Sequence, residues 1–349
     1  MNRTTYAVDL AKSVMQLHWV DEATGEIGRK KLSRSRLAEY FAQLRPLCIV
    51  MEACGSAHHW ARTFAAMGHE VQLLPPRQVR PFVRSNKDDA ADARAIWLAA
   101  RQVDIRRVPQ KSVEQQAMLS LHRTRQHWVS VRTATVNALR GLLYEFGVVL
   151  RGGRRAGLKA LAEQRGTIDA QLPATMRSLV DGQLRMLGQV DARIDELERE
   201  IAALQQQVPG ATKLDQISGV GLLGSTALAA TLGDGRAWSS GRQFSASLGL
   251  VPAHAGTGGK VRIGHLSKRG DPYLRTLLIH GARAVIEHAT DKAQWLESLQ
   301  ARRPKNVAVV ALANKMARTA WALVAHGRTY QRDWQSARPG GGAAKSAAA

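Results

Sequence analysis

Four carboxylates near the start of this chain, Asp9, Glu52, Asp89 and Asp92, have the types and order of a two-metal phosphoryl-transfer site. Asp9 ends the apolar run Tyr6-Ala7-Val8, and Glu52 ends the run Cys48-Ile49-Val50-Met51. Asp89 and Asp92 lie three apart in Asn86-Lys87-Asp88-Asp89-Ala90-Ala91-Asp92-Ala93, which reads as the start of a helix. Hard divalent cations take carboxylate oxygens and keep waters, and two Mg²⁺ ions about 4 Å apart share such ligands. A strand-end Asp can bridge both ions, while a Glu on a neighbouring strand and two Asp on one helix face complete the cage. Helix positions i and i+3 share a face, so Asp89 and Asp92 can point inward together while Asp88 points elsewhere. Singly, each has a plainer reading: Asp9 as a strand-end turn residue, Asp89 as a helix-start charge favoured by the dipole. All four in this order favour metal.

The rest of the chain says what such metals would act on. Its 349 residues carry 50 Lys and Arg against 28 Asp and Glu, a formal net charge of +22. A surplus of that size suits a polyanion, because each neutralised phosphate releases counterions. An anionic membrane is the other polyanion. No stretch approaches 18 apolar residues and no basic amphipathic anchor is visible, so no membrane is expected. The two cysteines, Cys48 and Cys54, flank Glu52 without a C-x-x-C pair, which supports neither a disulfide framework nor a zinc site. The N-terminus has no apolar signal region, and a cytoplasmic setting is expected.

The elements that must position the carboxylates alternate. Strand-like runs cover Thr4 to Val8, Met15 to Val20, Ile27 to Leu32, Leu47 to Met51 and Glu70 to Leu74. Helix-like runs cover Arg36 to Leu44, Ala57 to Met67 and Asp88 to Arg101. Three strands, helix, strand, helix, strand, helix is the ribonuclease-H-like order, a mixed sheet with helices on its faces. Residues 1–110 are therefore read as an α/β metal-dependent domain. Residues 111–210 read as a basic helical linker. It ends in the heptad run Leu187, Val190, Ile194, Leu197, Ile201, Leu204 and Val208, whose spacing of three and four is a coiled-coil seam and predicts self-association as a dimer or tetramer. The bland alternative is a long amphipathic helix packed on its own domain. Residues 211–335 read as a second, mostly helical unit, with helices from Pro272 to His288 and Lys305 to Ala325, and 336–349 as a disordered Gly/Ala-rich tail.

Further candidates lie around these elements. Lys12 follows Asp9, and Arg77, Arg80, Arg84 and Lys87 precede the metal helix as a phosphate-facing collar. Arg123 and Arg132 extend the basic surface into the linker. His58 and His59 are read as surface or packed histidines. Ile217-Ser218-Gly219-Val220-Gly221 has the look of a phosphate-holding hairpin turn, or of an ordinary helix cap. Gly256-Thr257-Gly258-Gly259-Lys260 could let the backbone approach a phosphate with an accessible hydroxyl, or be a flexible loop or hairpin tip. It is not a P-loop. Lys260, Arg262, Lys268, Arg269 and Arg275 supply positive charge beside it. Three readings stay open: a Holliday-junction-type nuclease using water, a non-catalytic RNA- or DNA-binding protein, or a recombinase.

Val-Asp-Leu-Ala-Lys at Asp9, Val-Met-Glu-Ala-Cys-Gly at Glu52 and the Asp89/Asp92 segment resemble the DEDD motif of insertion-sequence transposases of the IS110 family. The run Leu248 to Pro252, the Gly-rich segment, Leu266 to Arg275 and His280 to Arg283 resemble the family's second domain, most nearly in its IS1111 group. The resemblance implies a RuvC-like N-terminal domain, a coiled-coil linker and a C-terminal transposase domain. It implies recombination of double-stranded DNA, donor and target, directed by a structured guide RNA, the bridge RNA, from the element itself. It also implies a covalent protein–DNA intermediate on a serine of the Gly-rich segment. This sequence departs there: Thr257 is the only hydroxyl in the segment, so the nucleophile role passes to Thr257, with Ser267 in reserve.

Overall fold

The computed structural model describes residues 4–83, 89–150, 152–258 and 260–331; the side chains of Asp89 and Ala90 and the tail 336–349 lie outside the described residues. The chain forms two compact units, Met1–Gln115 with Thr231–Ser239, and Gln116–Ala230 with Ser240–Ala349.

In the first unit, β1 (Thr5–Asp9), β2 (Val14–Val20) and β3 (Ile27–Ser33) form an antiparallel meander. Strands β4 (Cys48–Glu52) and β5 (Glu70–Leu74) run parallel to β1, giving the sheet order β3-β2-β1-β4-β5. Helices α1 (Leu37–Ala42), α2 (Ala57–Ala66), the short α3 (Pro76–Val79) and α4 (Asp89–Ala100) complete the α/β order expected from sequence.

Strand side chains alternate with period two, and each face has its own core. Tyr6, Val8, Ile49 and Met51 pack with Leu37, Phe41, Trp60 and Phe64 of α1 and α2. Ala7, Cys48 and Val50 pack with Ala95, Ile96 and Ala99 of α4. Fully burying a side chain such as Phe41 contributes about 1.5–3 kcal/mol, so the two cores fix the sheet between its helices.

The second unit is mostly helical, as expected. It contains most of α5 (Val113–Tyr144), then α6 (Arg154–Glu163), α7 (Arg165–Gln171) and α8 (Ala174–Leu204). After them come α9 (Ala211–Asp215), α10 (Leu222–Leu232) and α11 (Gly241–Ser247). The hairpin β6 (Pro252–Thr257) and β7 (Lys260–Leu266) precedes α12 (Pro272–His288), α13 (Gln294–Arg302) and α14 (Lys305–Ala325).

The heptad seam is filled from within the chain. Leu187, Val190, Ile194, Leu197, Ile201 and Val208 are all buried in the single molecule. Val136, Leu139 and Leu143 of α5 share a core with Val180 and Leu187 of α8. Arg125 reaches Glu198 at 2.6 Å and Arg132 reaches Asp191 at 2.8 Å, so seven residues forward on α5 match seven residues back on α8. The helices pair antiparallel with a heptad register. The seam residues are thus buried within the single chain, as the amphipathic-helix alternative has it. Helix α14 is 21 residues long and is, by length and composition only, apolar enough to cross a membrane. Its Ala308, Val309, Leu312, Ala313, Met316, Ala317, Ala320 and Leu323 are buried in this unit against its neighbours, as in a core helix.

Candidate active site

Strand register decides where the first carboxylates point. Val8 is level with Met51 across the parallel pair β1–β4, so Asp9 and Glu52 come next, side by side at the C-terminal sheet edge. Asp9 alternates with Val8 and Glu52 with Met51. Both therefore share the face of Ala7 and Val50, which α4 covers. Helix α4 brings Asp92 to the same face. Burial raises the Glu52 pKa, and the Asp92 charge raises it further. The Cys54 thiol is held protonated by burial and then by the charges of Glu52 and Asp9. Three of the four predicted carboxylates thus act on one electrostatic neighbourhood. The Asp89 side chain lies outside the described residues. Among the described residues no three His, Cys, Asp or Glu close into a metal cage. The chemistry of the set still fits a divalent cation: half-buried hard oxygens repel one another, and a cation would relieve that repulsion. Gln16, opposite Asp9 on β2, also belongs to this edge, and only the strand pairing points to it.

The surrounding cations divide. Lys12, Arg77, Arg80 and Arg123 are exposed. Arg84 and Lys87 lie outside the described residues. Arg132, expected from sequence to contact nucleic acid, forms an ion pair with Asp191 at 2.8 Å. His58 is packed: its Nδ1 accepts from the Lys111 backbone N–H at 3.3 Å, and its Nε2 lies 3.2 Å from Lys111 Nζ.

The Gly-rich segment is a hairpin tip. Thr257 ends β6 opposite Lys260, and Ala255 is opposite Arg262. Residues directly paired across strands share a face, so Thr257, Lys260 and Arg262 project together. Gly256, Val261, His254 and Ile263 form the other face, with Val261 and Ile263 68% and 72% exposed. Gly256 has a steric reason: a Cβ there would collide with the Lys260 carbonyl across the hairpin. Gly258 turns the tip at φ +57°. The Thr257 hydroxyl is therefore exposed beside two cations. The reserve nucleophile is placed differently, for Ser267 Oγ is buried, and no partner for it is found among the described residues. The turn Ile217 to Gly221 also changes meaning. A Cβ on Gly219 (φ +83°) would strike the Gly281 carbonyl of α12, so its glycine serves packing.

The base of the hairpin is anchored. Asp271 Oδ1 accepts the Tyr273 and Leu274 N–H groups at 2.8 and 3.2 Å and caps α12. Arg275, expected from sequence to meet phosphate, donates from Nη1 to the carbonyls of Leu248 (2.9 Å) and Arg269 (3.1 Å). Lys260, Arg262, Lys268 and Arg269 stay exposed. The Thr226 hydroxyl donates to Leu222 O at 2.6 Å, so it accepts from His122 Nε2–H at 3.0 Å. His122 Nδ1 then accepts from the Tyr273 hydroxyl at 2.8 Å.

Comparison with known proteins places this geometry. A family model for DEDD transposases of the IS110 type matches residues 6–147, and one described as transposase IS116/IS110/IS902 family matches residues 211–297. A probable family 20 transposase of Pseudomonas aeruginosa is 46% identical over 336 residues, covering 95% of this chain and 99% of the relative. The chain belongs to the IS110/IS116 transposase family. Similar too are the transposase for insertion sequence element IS1111A of Coxiella burnetii, at 39% identity over 93% of this chain and 90% of its own, and that for IS1328 of Yersinia enterocolitica, at 36% over 95% and 99%. As an IS110-family transposase the chain is a DNA-processing enzyme that catalyses phosphoryl transfer in transposition.

Proposed function

We propose that this transposase excises and inserts an insertion sequence by metal-assisted strand cleavage and exchange, with Thr257 as nucleophile and a structured RNA as guide. The observation that carries the reading is the meeting of Asp9, Glu52 and Asp92 on one face of a ribonuclease-H-ordered sheet, with burial and Asp92 raising the Glu52 pKa. Asp9, Glu52, Asp89 and Asp92 would hold Mg²⁺, which supplies Lewis-acid polarisation of the scissile phosphate. Thr257 Oγ forms the bond to phosphorus as the bond from phosphorus to a deoxyribose oxygen breaks. That oxygen leaves as a hydroxyl, and the threonine proton passes to solvent. Lys260 and Arg262, on the face of Thr257, stabilise charge on the non-bridging oxygens. Its β-methyl makes Thr257 a more crowded nucleophile than serine, and exposure at the tip offsets that crowding.

Double-stranded donor and target DNA are the substrates, and base pairing to the bridge RNA would supply the choice of site. The net charge of +22 suits a protein that holds RNA and two duplexes in the bacterial cytoplasm. The two functional regions, a RuvC-like domain and a transposase domain with the nucleophile hairpin, would assemble as dimers or tetramers on that nucleic acid. Incubation with element-end DNA and Mg²⁺, followed by a denaturing gel, tests the intermediate. A protein–DNA adduct should appear, vanish in Thr257→Ala and persist in Ser267→Ala. Cleavage without any adduct would assign the attack to water. RNA sequencing of the purified complex tests the guide, and its absence from active protein would remove RNA from the mechanism.

A further inference from the structure

An open groove of about 610 Å³ lies in the first unit, lined by Ser13, Ser33, Arg34, Ser35, His59 and Trp60. Its volume falls within the roughly 300–1,000 Å³ of sites that hold small ligands or parts of larger ones. Three hydroxyls, a guanidinium and an imidazole line it, and no carboxylate does. Arg34 lies over the Trp60 ring at 5.4 Å and donates one hydrogen bond, from Nη1 to Ala11 O at 3.2 Å. Among the described residues it has no acidic partner, so most of its donors remain for a ligand. Trp60 is 6% exposed, and its buried Nε1 has no hydrogen-bond partner among the described residues.

The position of the groove follows from the topology. Ser13 sits on the loop that leaves Asp9, and the Arg34 N–H donates to its carbonyl at 2.9 Å. Ser33 pairs with Val14 at the same sheet edge where β1 ends. His59 and Trp60 lie in the start of α2, the element that follows Glu52. Every wall therefore rises from the C-terminal edge of β1 and β4 that carries the candidate carboxylates. The carboxylates face α4, whereas the groove opens toward α2. Crevices outside the carboxyl ends of sheet strands are where α/β folds bind ligands. The groove fits an anion with many acceptor oxygens and a flat, partly apolar neighbour, which is a nucleotide unit.

We propose that this groove holds a sugar–phosphate unit of the DNA strand that crosses the sheet edge into the carboxylate site. Arg34 and the Ser13, Ser33 and Ser35 hydroxyls contact the phosphodiester oxygens. His59, whose ring meets Trp60 edge-on at 5.3 Å, flanks the sugar or base. This rests on the carboxylate edge being the place of cleavage. The groove would act there as a register point, holding the strand at a set distance from the bond that breaks.

The test is fluorescence anisotropy of labelled element-end DNA, single-stranded and duplex, with the full chain and without divalent metal. RNA of the same sequence is the second arm. Arg34→Gln should weaken DNA binding by roughly three- to tenfold near 150 mM salt and lower the salt slope by about one phosphate contact. His59→Ala, which removes an exposed ring, should weaken it by roughly twofold to threefold. Wild-type affinity and salt slope in both variants would overturn the proposal, as would a loss confined to the RNA arm. The carboxylate reading is scored separately by Asp9→Asn. That variant should bind DNA like the parent without metal and fail to cleave with it; if it still cleaves, that reading falls while the groove result stands.

Discussion

Acidification from pH 7 to pH 5 should loosen the helical unit through His122. This imidazole is 1% exposed, and both its nitrogens are engaged, by Thr226 and Tyr273. Burial, and then the Arg125 charge, push its pKa down from 6.5 to about 4. In the unfolded chain it titrates at its ordinary value. Between the two values the unfolded state therefore binds the extra proton, so stability is full above about pH 6.5 and is lost as pH falls toward 4. For a shift of that size, linkage gives a loss of about 2 kcal/mol at pH 5 and about 3 kcal/mol at pH 4. Urea unfolding at pH 7 and pH 5, on the parent and on His122→Gln, measures it. The glutamine variant is weaker at pH 7 because it cannot bridge both partners with the ring's geometry, but it has no proton to take up. Its loss between the two pH values should be about 2 kcal/mol smaller than the parent's. Subtracting one protein from the other cancels every other titrating group, including the buried His18, which is pushed the same way to about 4. Equal losses in the two proteins would refute the reasoning.

Replacing Asp92 with Asn should bring the Glu52 pKa down only part of the way, since burial raises it most and Asp92 adds to that, and should abolish the gain in melting temperature on adding Mg²⁺; unchanged metal stabilisation would count against the shared site. Gly281→Ala should lower stability by about 1–3 kcal/mol because its methyl would overlap the Gly219 carbonyl, which thermal unfolding would show. Asp191→Asn should cost about 1 kcal/mol and reduce the salt sensitivity of unfolding, because Arg132 and Arg154 both converge on that carboxylate, at 2.8 and 3.1 Å.

Much of this architecture is legible in the residues. Glu70 to Leu74, Pro272 to His288 and Lys305 to Ala325 fall where the apolar runs and their stops place them. Period two alone puts Asp9 and Glu52 on one face once their strands are known to be neighbours. The seam from Leu187 to Val208 is legible as an apolar stripe, but periodicity says which face is apolar and nothing of what covers it. Here α5 covers it. Arg132 and Arg275 look like free cations in sequence because their partners, Asp191 and the carbonyls of Leu248 and Arg269, are distant along the chain. Glycines serve close backbone approach and tight turns equally, so Gly256-Thr257-Gly258 resolves as a hairpin only when its strands pair. The groove of Ser13, Arg34 and Trp60 has no linear motif, being assembled from three separate segments of the chain that meet at one sheet edge.

The heptad register of α5 against α8 makes that part of the chain a ruler with fixed gradations. Seven residues added to both helices at matching positions would lengthen the pair by about 10 Å and return every seam residue and ion pair to its proper side. One residue added to either helix alone would turn everything beyond it by about 100° and break the match. Variation in length along this pair is therefore confined to whole, paired heptads, and the distance it spans can change only in steps.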